Sequence, residues 1–421
     1  INGDAERTRL GRMRARRGHA PPYRVTKFFI GNEAGCQPRF NETRPRSTER
    51  ETRYDYHASP TATEYAAVLK AAIPILAHAA DSARADGALE LIATTGSPNI
   101  TWPRAWFPKA KQPWEHKLGR VPQLLSKWNE PITTAVGEFL YASSYHYYTK
   151  APLVAWDPKR LAEASRLPSE LLDALHTARR ILDRPRGRKR RMAISLDEWG
   201  FGPPWAVVRF GAAHGLYAAC ALIMLVNHAD ELGIASANYF QPINEGFVRV
   251  HAHNATLTSL GEAVEIVGRH QGQRLLPLPS NGEHEARAAA TLPTGVRVRR
   301  LPTTSTDDPT ATDLWVLASV DDAARRVLVT IINGNAAVSA RVRVAIAHAT
   351  TPRPHSRHAA RRMWKATVLR AEGITPGAMV GGKHGTPGWF ASERAHAVEE
   401  ADGYVVVVVP PFSIVQIGQD Q

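Results

Sequence analysis

Two glutamates each stand at the end of an apolar run. Glu33 closes Phe28-Phe29-Ile30-Gly31-Asn32-Glu33, and Glu198 lies in Met192-Ala193-Ile194-Ser195-Leu196-Asp197-Glu198-Trp199-Gly200. Continuous apolar runs are what strands look like when both their faces are buried, as in parallel sheets. A glutamate at the C-terminal end of such a strand occupies the position where βα barrels keep their chemistry. Two of them make a carboxylate pair, the minimal equipment for glycoside hydrolysis.

Other polar groups follow strand-like runs. Asn32 offers a side-chain amide beside Glu33, suited to a sugar hydroxyl. Trp199 offers a ring that could wall a sugar site beside Glu198. The run Ser144-Tyr145-His146-Tyr147-Tyr148 supplies a phenol and an imidazole able to hydrogen-bond a carboxylate or a substrate. Gln241 and Asn244 follow the last such run. Taken singly, each has a plainer explanation: a loop-capping Asn-Glu pair, a solvated acid pair, aromatic packing, an ordinary loop. Their recurrence decides, because four of five strand-like runs end in groups suited to a sugar and two of those groups are glutamates.

The elements that must position these residues alternate from Val25 to about His270. Strands are expected at Val25–Gly31, Glu90–Gly96, Phe139–Tyr147, Met192–Asp197 and Ile234–Phe240. Helices are expected at Thr63–Ala83, with Thr63 as N-cap and Tyr65, Val68, Leu69, Ile73 and Leu76 as the apolar positions, and at Arg160–Leu182, Pro204–Asn227 and Ser259–His270. This alternation predicts an α/β fold with a parallel sheet. A closed (β/α)8 barrel needs eight units of about 30 residues, so five units predict a partial TIM barrel, strands 4–8, with roughly 90 or more residues absent from the start. A chain lacking that part is expected to expose strand edges and to be poorly soluble or inactive. After about Gly272 the helical period gives way to short strands at Asp313–Val320, Arg326–Asn333, Val338–Ile346, Ala366–Leu369 and Gly403–Val409, which predict an all-β sandwich. The segment Pro302–Thr312 reads as a surface loop. The expected domains are therefore 1–272, a partial βα-barrel catalytic domain, and 273–421, a C-terminal β-sandwich.

At 421 residues, two domains are the natural expectation. An apolar content of 43% with 22% charge describes a globular protein. The net charge of +14 comes from 53 basic and 39 acidic residues. We read it as arginines spread over a solvated surface, since no nucleic-acid-binding motif accompanies them. The basic run Arg184 to Arg191 reads as a loop between a helix and the second glutamate strand. Cys36 and Cys220 cannot build a disulfide framework. The 17 histidines show no zinc-type spacing, so no metal and no cofactor are expected. The apolar stretch Gly215 to Val226 is too short for a bilayer and reads as a core helix, so no membrane partner is expected. Sequons at Asn41, Asn99 and Asn254 and a start at Ile1 leave cytoplasmic and secreted locations both open. Homo-oligomerisation is likewise open.

These motifs resemble the α-L-arabinofuranosidases of glycoside hydrolase family 51. Gly31-Asn32-Glu33 is similar to that family's acid/base motif, His146-Tyr147-Tyr148 to its strand-six motif and Asp197-Glu198-Trp199 to its nucleophile motif. Asn2-Gly3-Asp4, Gly11-Arg12-Met13-Arg14-Ala15 and Gly18-His19-Ala20-Pro21-Pro22-Tyr23 resemble the lead-in to the acid/base strand. His214-Gly215-Leu216, Asn227-His228-Ala229-Asp230 and Gln241-Pro242-Ile243-Asn244 resemble the elements after the nucleophile, and Pro410-Pro411-Phe412-Ser413-Ile414-Val415 the closing strand of the C-terminal β-domain. The resemblance departs at Ala34-Gly35-Cys36, where the family often carries a Met-Asp-Gly-like turn. It implies a retaining hydrolase acting on arabinose-containing polysaccharides or oligosaccharides, with Glu33 as acid/base and Glu198 as nucleophile. Asn32, His146, Tyr148, Trp199 and Gln241 would form the substrate-binding shell. A relative in the same clan acting on xylosides or β-glucans, and a truncated non-catalytic remnant, are the alternatives.

Overall fold

The computed structural model describes residues 5–32, 34, 61–82, 89–94, 121–149, 167–184, 190–201, 211–243, 246–250, 252–276, 295–301, 314–323, 326–335, 338–347, 364–371, 390–395, 398–401 and 404–419. Glu33, Cys36, Asn41, Asn99, Asn244 and the segment Pro302–Thr312 lie outside these residues.

Helices and strands alternate through the first part of the chain: α1 (Arg9–Arg16), β1 (Lys27–Ile30), α2 (Ala62–Ser82), β2 (Glu90–Thr94), α3 (Val121–Val136), β3 (Leu140–Thr149), α4 (Leu167–Leu182), β4 (Ala193–Phe201), α5 (Ala212–Asn227), α6 (Ala229–Leu232) and β5 (Ile234–Tyr239). The five strands form one sheet in the order β1-β2-β3-β4-β5. The pairs β1–β2, β2–β3 and β4–β5 are parallel. Strand order follows chain order without reversal, unlike a doubly wound sheet. The apolar runs of the sequence are these strands; Leu91, Ile92, Ala93, Ile194 and Leu196 are buried as the pattern requires, but β1, at the edge of the sheet, is not, with Phe29 45% exposed and Phe28 and Ile30 half-buried.

The start of α2 corrects the sequence expectation. Thr61, not Thr63, caps it: the Glu64 amide donates to Thr61 Oγ1 at 3.1 Å, and the Thr61 amide donates to Glu64 Oε2 at 2.7 Å. This reciprocal capping box satisfies two donors that the first turn leaves open, and only Thr61 has a glutamate three residues on. Tyr65, Leu69 and Ile73 are the buried face, four residues apart, whereas Val68 is 57% exposed. Tyr65 also ties strand ends together. Its hydroxyl donates to the Ile30 carbonyl and accepts from the Thr94 amide at 2.8 Å, while Trp128 of α3 stacks on its ring. Burial raises the Tyr65 pKa, a shift that hydrogen bonds with Thr94 partly offset. Just past this tie the chain turns at Gly31, whose φ of 89° suits glycine alone. Three helices escaped the sequence reading: α1, α3 and the short α6. In α1, arginines replace the apolar stripe, and Arg14 is buried because its guanidinium serves the His19 and Ala20 carbonyls. In α3, Pro131 interrupts an otherwise helical pattern.

The remainder comprises the hairpin β6 (Val248–Val250) and β7 (Ala255–Leu257), helix α7 (Ser259–Gly268), and β8 (Arg274–Leu275), β9 (Gly295–Leu301), β10 (Leu314–Asp321), β11 (Arg326–Asn333), β12 (Ala340–Ala347), β13 (Trp364–Ala371), β14 (Phe390–Ala395), β15 (Val398–Ala401), β16 (Tyr404–Val409) and β17 (Ser413–Gln419). Beyond the β6–β7 hairpin they build a six-stranded sheet, β14-β13-β17-β11-β10-β8, and a four-stranded sheet, β15-β16-β12-β9. Alternate residues of both sheets, Val329 and Ile331, Val415 and Ile417, Val342 and Val344, Val405 and Val407, share one apolar core. The opposite face of β11 is buried too, and α5 packs against α7 and the β10–β11 pair. Nearly every residue of α5 from Ala212 to Leu225 is buried, including Cys220, as befits a helix apolar on all sides. Burial pushes the Cys220 thiol pKa well up. Gly261 of α7 is required by close approach, since a Cβ there would meet the Phe247 carbonyl oxygen at 2.2 Å.

The chain divides into two compact units. One holds Ile1–Tyr148, Leu172–Gly200 and His228–Tyr239, with the parallel sheet. The other holds Thr149–Leu171, Phe201–Asn227 and Phe240–Gln421, with α5, α7 and the antiparallel sheets.

Candidate active site

Strand alternation sorts the aromatic run on β3. Side chains two apart share a face, so Ser144, His146 and Tyr148 face one way and Tyr145 and Tyr147 the other. Tyr145 and Tyr147 are buried, and Asn129 of α3 reaches the Tyr145 hydroxyl at 3.4 Å. The polar trio meets the carboxylates of β4. Ser144 Oγ donates to Asp197 Oδ2 at 2.9 Å, and the Tyr148 hydroxyl donates to Glu198 Oε2 at 2.6 Å. His146 lies between them, Nε2 at 3.4 Å from Asp197 Oδ2 and Nδ1 at 3.3 Å from Glu198 Oε2.

Neighbouring residues of a regular strand point to opposite faces, so one imidazole should not meet both Asp197 and Glu198. A local irregularity of β4 resolves this. Leu196 pairs with Ala237 and Trp199 with Tyr239, so Asp197 and Glu198 together oppose the single residue Asn238. That count is a β-bulge, a device that re-aims side chains at sheet edges and active sites. It brings two acids against one ring at the C-terminal end of the strand. His146 is 5% exposed, Asp197 14% and Glu198 20%. An imidazole protonated on both nitrogens would donate to both carboxylates. The short phenol-to-carboxylate bond is of the stronger, charge-assisted kind and fixes Oε2 of Glu198.

The sequence-expected residues fall out as follows. His146, Tyr148 and Glu198 come together. Asp197 and Ser144, not singled out for a role beforehand, belong with them, because the bulge depends on the partner strand and leaves no mark in the sequence of β4. Trp199 is buried, at 1% exposure, and its ring meets Tyr239 edge-on at 5.1 Å, so its surface is taken up by packing within the chain. Asn32 is exposed, two residues beyond the end of β1, and Gln241 is exposed, two residues beyond the end of β5. Among the described residues, metal-type donors converge elsewhere, on helices: His176, His228 and Glu231.

No protein-family model matches the sequence, and no curated protein does. Solved structures do match. A GH51 arabinofuranosidase from Xanthomonas axonopodis pv. citri aligns with 99% of this chain and 71% of its own, at TM-score 0.61 and 16% identity. The fold is that of solved family 51 arabinofuranosidases. The family 51 α-L-arabinofuranosidase of Bifidobacterium longum gives TM-score 0.64 at 16% identity, again over 99% and 71% of the two chains. A family 44 xyloglucanase from Paenibacillus polymyxa is more distant, at TM-score 0.50 and 9% identity, over 94% of this chain and 66% of its own. At these identities the likeness to family 51 is one of fold.

Proposed function

We propose that the protein is a retaining glycoside hydrolase that releases terminal α-L-arabinofuranosyl residues from arabinose-containing polysaccharides. The observation that carries this reading is Glu198 at the end of β4, its Oε2 held by the Tyr148 hydroxyl at 2.6 Å beside His146. That is the setting of a carboxylate held and aimed, as a nucleophile requires. The fold shared with family 51 arabinofuranosidases supports it. On this reading β1 to β5 are strands four to eight of a (β/α)8 barrel. Residues 1–272 form the catalytic domain and 273–421 the β-sandwich domain.

In the proposed reaction Glu33 gives its proton to the leaving glycosidic oxygen while Glu198 attacks the anomeric carbon. A glycosyl ester forms on Glu198. Water then attacks the same carbon, Glu33 takes its proton, and arabinose leaves with retained configuration. Tyr148 and His146 hold the Glu198 carboxylate in line. Asn32 and Gln241 bind sugar hydroxyls. The sugar itself is held without a metal or cofactor.

The test is hydrolysis of an aryl α-L-arabinofuranoside, with product configuration followed by NMR. Release of the α-anomer first supports the reading. Initial release of the β-anomer would mean inversion and refute the double displacement. The xyloglucanase fold neighbour motivates one competing substrate; cleavage of xyloglucan with no action on the arabinofuranoside would overturn the substrate assignment.

A further inference from the structure

Helix α4 and the short helix α6 bring together three side chains that the proposed hydrolysis does not use. His228 and Glu231 stand three apart and share a helical face. His228 Nδ1 lies 2.9 Å from Glu231 Oε2. From α4, His176 directs its own Nδ1 at the other oxygen of the same carboxylate, Oε1, at 3.7 Å. The two rings meet edge-on with centroids 6.2 Å apart. One ligand atom from each residue can be chosen so that all three lie within 4.8 Å of one another.

We propose that His176, His228 and Glu231 form a binding site for a divalent transition-metal ion of the zinc type. Two imidazoles and a carboxylate are a ligand set that zinc accepts, with three protein ligands leaving one position for water. Imidazole favours the later first-row ions over magnesium or calcium, which want oxygen. Bonds of about 2.0–2.1 Å in a tetrahedral site need ligand atoms closer together than they stand here. The required closure is small, and the side chains are free to make it: they are 37%, 34% and 59% exposed. His228 precedes α6 without capping it through its side chain, so its ring can serve an ion without loss to the helix. The nearby guanidinium groups are engaged by other partners: Arg191 donates to the carbonyls of Asp230 at 3.5 Å and Glu231 at 2.7 Å and lies 3.8 Å from Asp183, and Arg179 serves the Met192 and Leu232 carbonyls and Asp183.

The site's position assigns its role. Arg191 comes just before β4 begins and α6 just before β5, the opposite end of the strands from Glu198. That face of a βα sheet serves stability, not chemistry. The ion would join α4 to the segment entering β5 and, by binding only the folded chain, would raise its stability.

The test uses the untagged 421-residue chain, stripped with chelator and titrated with zinc sulfate by equilibrium dialysis and by thermal melting. We expect one saturable zinc per chain and a Tm that rises with zinc. His176→Ala and His228→Ala should each weaken binding by at least about tenfold and abolish the zinc-dependent rise, with unchanged circular dichroism and unchanged metal-free Tm. Glu231→Gln, at an exposed position, repeats the test should either histidine variant fail to fold. Absence of saturable binding, or several weak zinc ions per chain bound equally by all variants, would overturn the site.

Discussion

In each compact unit a buried histidine stands between two oxygen-bearing partners, and the partners differ. In the parallel-sheet unit, His146 stands between two carboxylates. In the antiparallel unit, His270 stands between two hydroxyls, Nδ1 at 2.6 Å from Ser319 Oγ and Nε2 at 2.8 Å from Thr330 Oγ1. Their exposure is almost equal, 5% and 6%. The hydroxyls satisfy a neutral ring completely but bring no opposite charge to a protonated one. Burial accordingly pushes the His270 pKa down to about 4. The neighbours even dictate the tautomer. Ser319 Oγ donates to Gln273 Oε1 at 2.6 Å, and Gln416 Nε2 donates to Thr330 Oγ1 at 2.9 Å. The Ser319 proton is thus engaged elsewhere, so Nδ1 of His270 carries the hydrogen and Nε2 accepts from Thr330. Equal burial therefore has opposite uses: a fixed neutral strut in one unit, and in the other a ring placed where opposite charge is waiting.

The largest expected effect separates the two units outright. Glu198→Ala should lower kcat on an arabinofuranoside by several orders of magnitude, as loss of a nucleophile does, with little change in urea unfolding. Unimpaired turnover on a natural arabinan would show that the carboxylate is misassigned and that the His146 cluster is structural like the other.

The His270 strut should show itself in stability against pH. Its folded pKa lies below the unfolded value, so the unfolded chain binds the proton more readily. The neutral ring's contribution is whole above about pH 6.5 and is lost progressively as pH falls to about 4. The loss is on the order of 3 kcal/mol. Urea unfolding from pH 7 to pH 4 measures it, and His270→Gln should flatten that part of the profile. An equal slope in the variant would assign the pH dependence to other groups. Glu262, whose pKa burial and then Glu265 raise to about 7, acts in the opposite sense, because its protonated form is favoured on folding. Its contribution is present below the usual glutamate range and fades as pH rises through about 7, so Glu262→Gln should be measured alongside.

Tyr148→Phe tests the other side. It removes one charge-assisted hydrogen bond from Glu198, worth about 1.5–3 kcal/mol, or about 10- to 100-fold in kcat/KM. An unchanged kcat/KM would mean that the 2.6 Å contact does no more for Glu198 than packing would.

The two histidines were unequally legible in the sequence. His146 could be picked out because it ends an apolar run among tyrosines, and the alternation of β3 then carries Tyr148 with it. The inner strands β2, β3 and β4 were legible for the same reason, since buried strands write themselves as apolar runs; β1 and β5 carry no buried residue. His270 gave no signal, since Ser319, Thr330 and Gln416 come from three separate strands that register alone brings together. Asp197 was hidden by the bulge, and His176 with His228 by belonging to elements far apart in the chain, α4 and the turn that opens α6. The arginine-rich α1 and the proline-bearing α3 escaped because their helix-forming partners are polar or interrupted. Local pattern reveals elements; contacts between distant elements need the fold.

The smallest effect sharpens the comparison most directly, because it alters a partner and leaves the ring. Ser319→Ala deletes the acceptor for the His270 Nδ1–H and the donor to Gln273 at a position with no solvent access. A buried donor left unsatisfied costs about 1–3 kcal/mol. Gln273 recovers part of this, since its amide also reaches the Arg269 carbonyl at 3.0 Å and the residue is only half-buried. We therefore expect a loss near 1 kcal/mol, read as a lower urea midpoint at pH 7. The ring keeps its Thr330 bond, so the pH profile between 6.5 and 4 should retain its slope while the whole curve drops. The proposed arabinofuranosidase activity, measured well below the melting temperature, should not change. A collapse of activity in Ser319→Ala would break the comparison, because it would tie the neutral strut to the chemistry that the carboxylate-flanked His146 is proposed to serve.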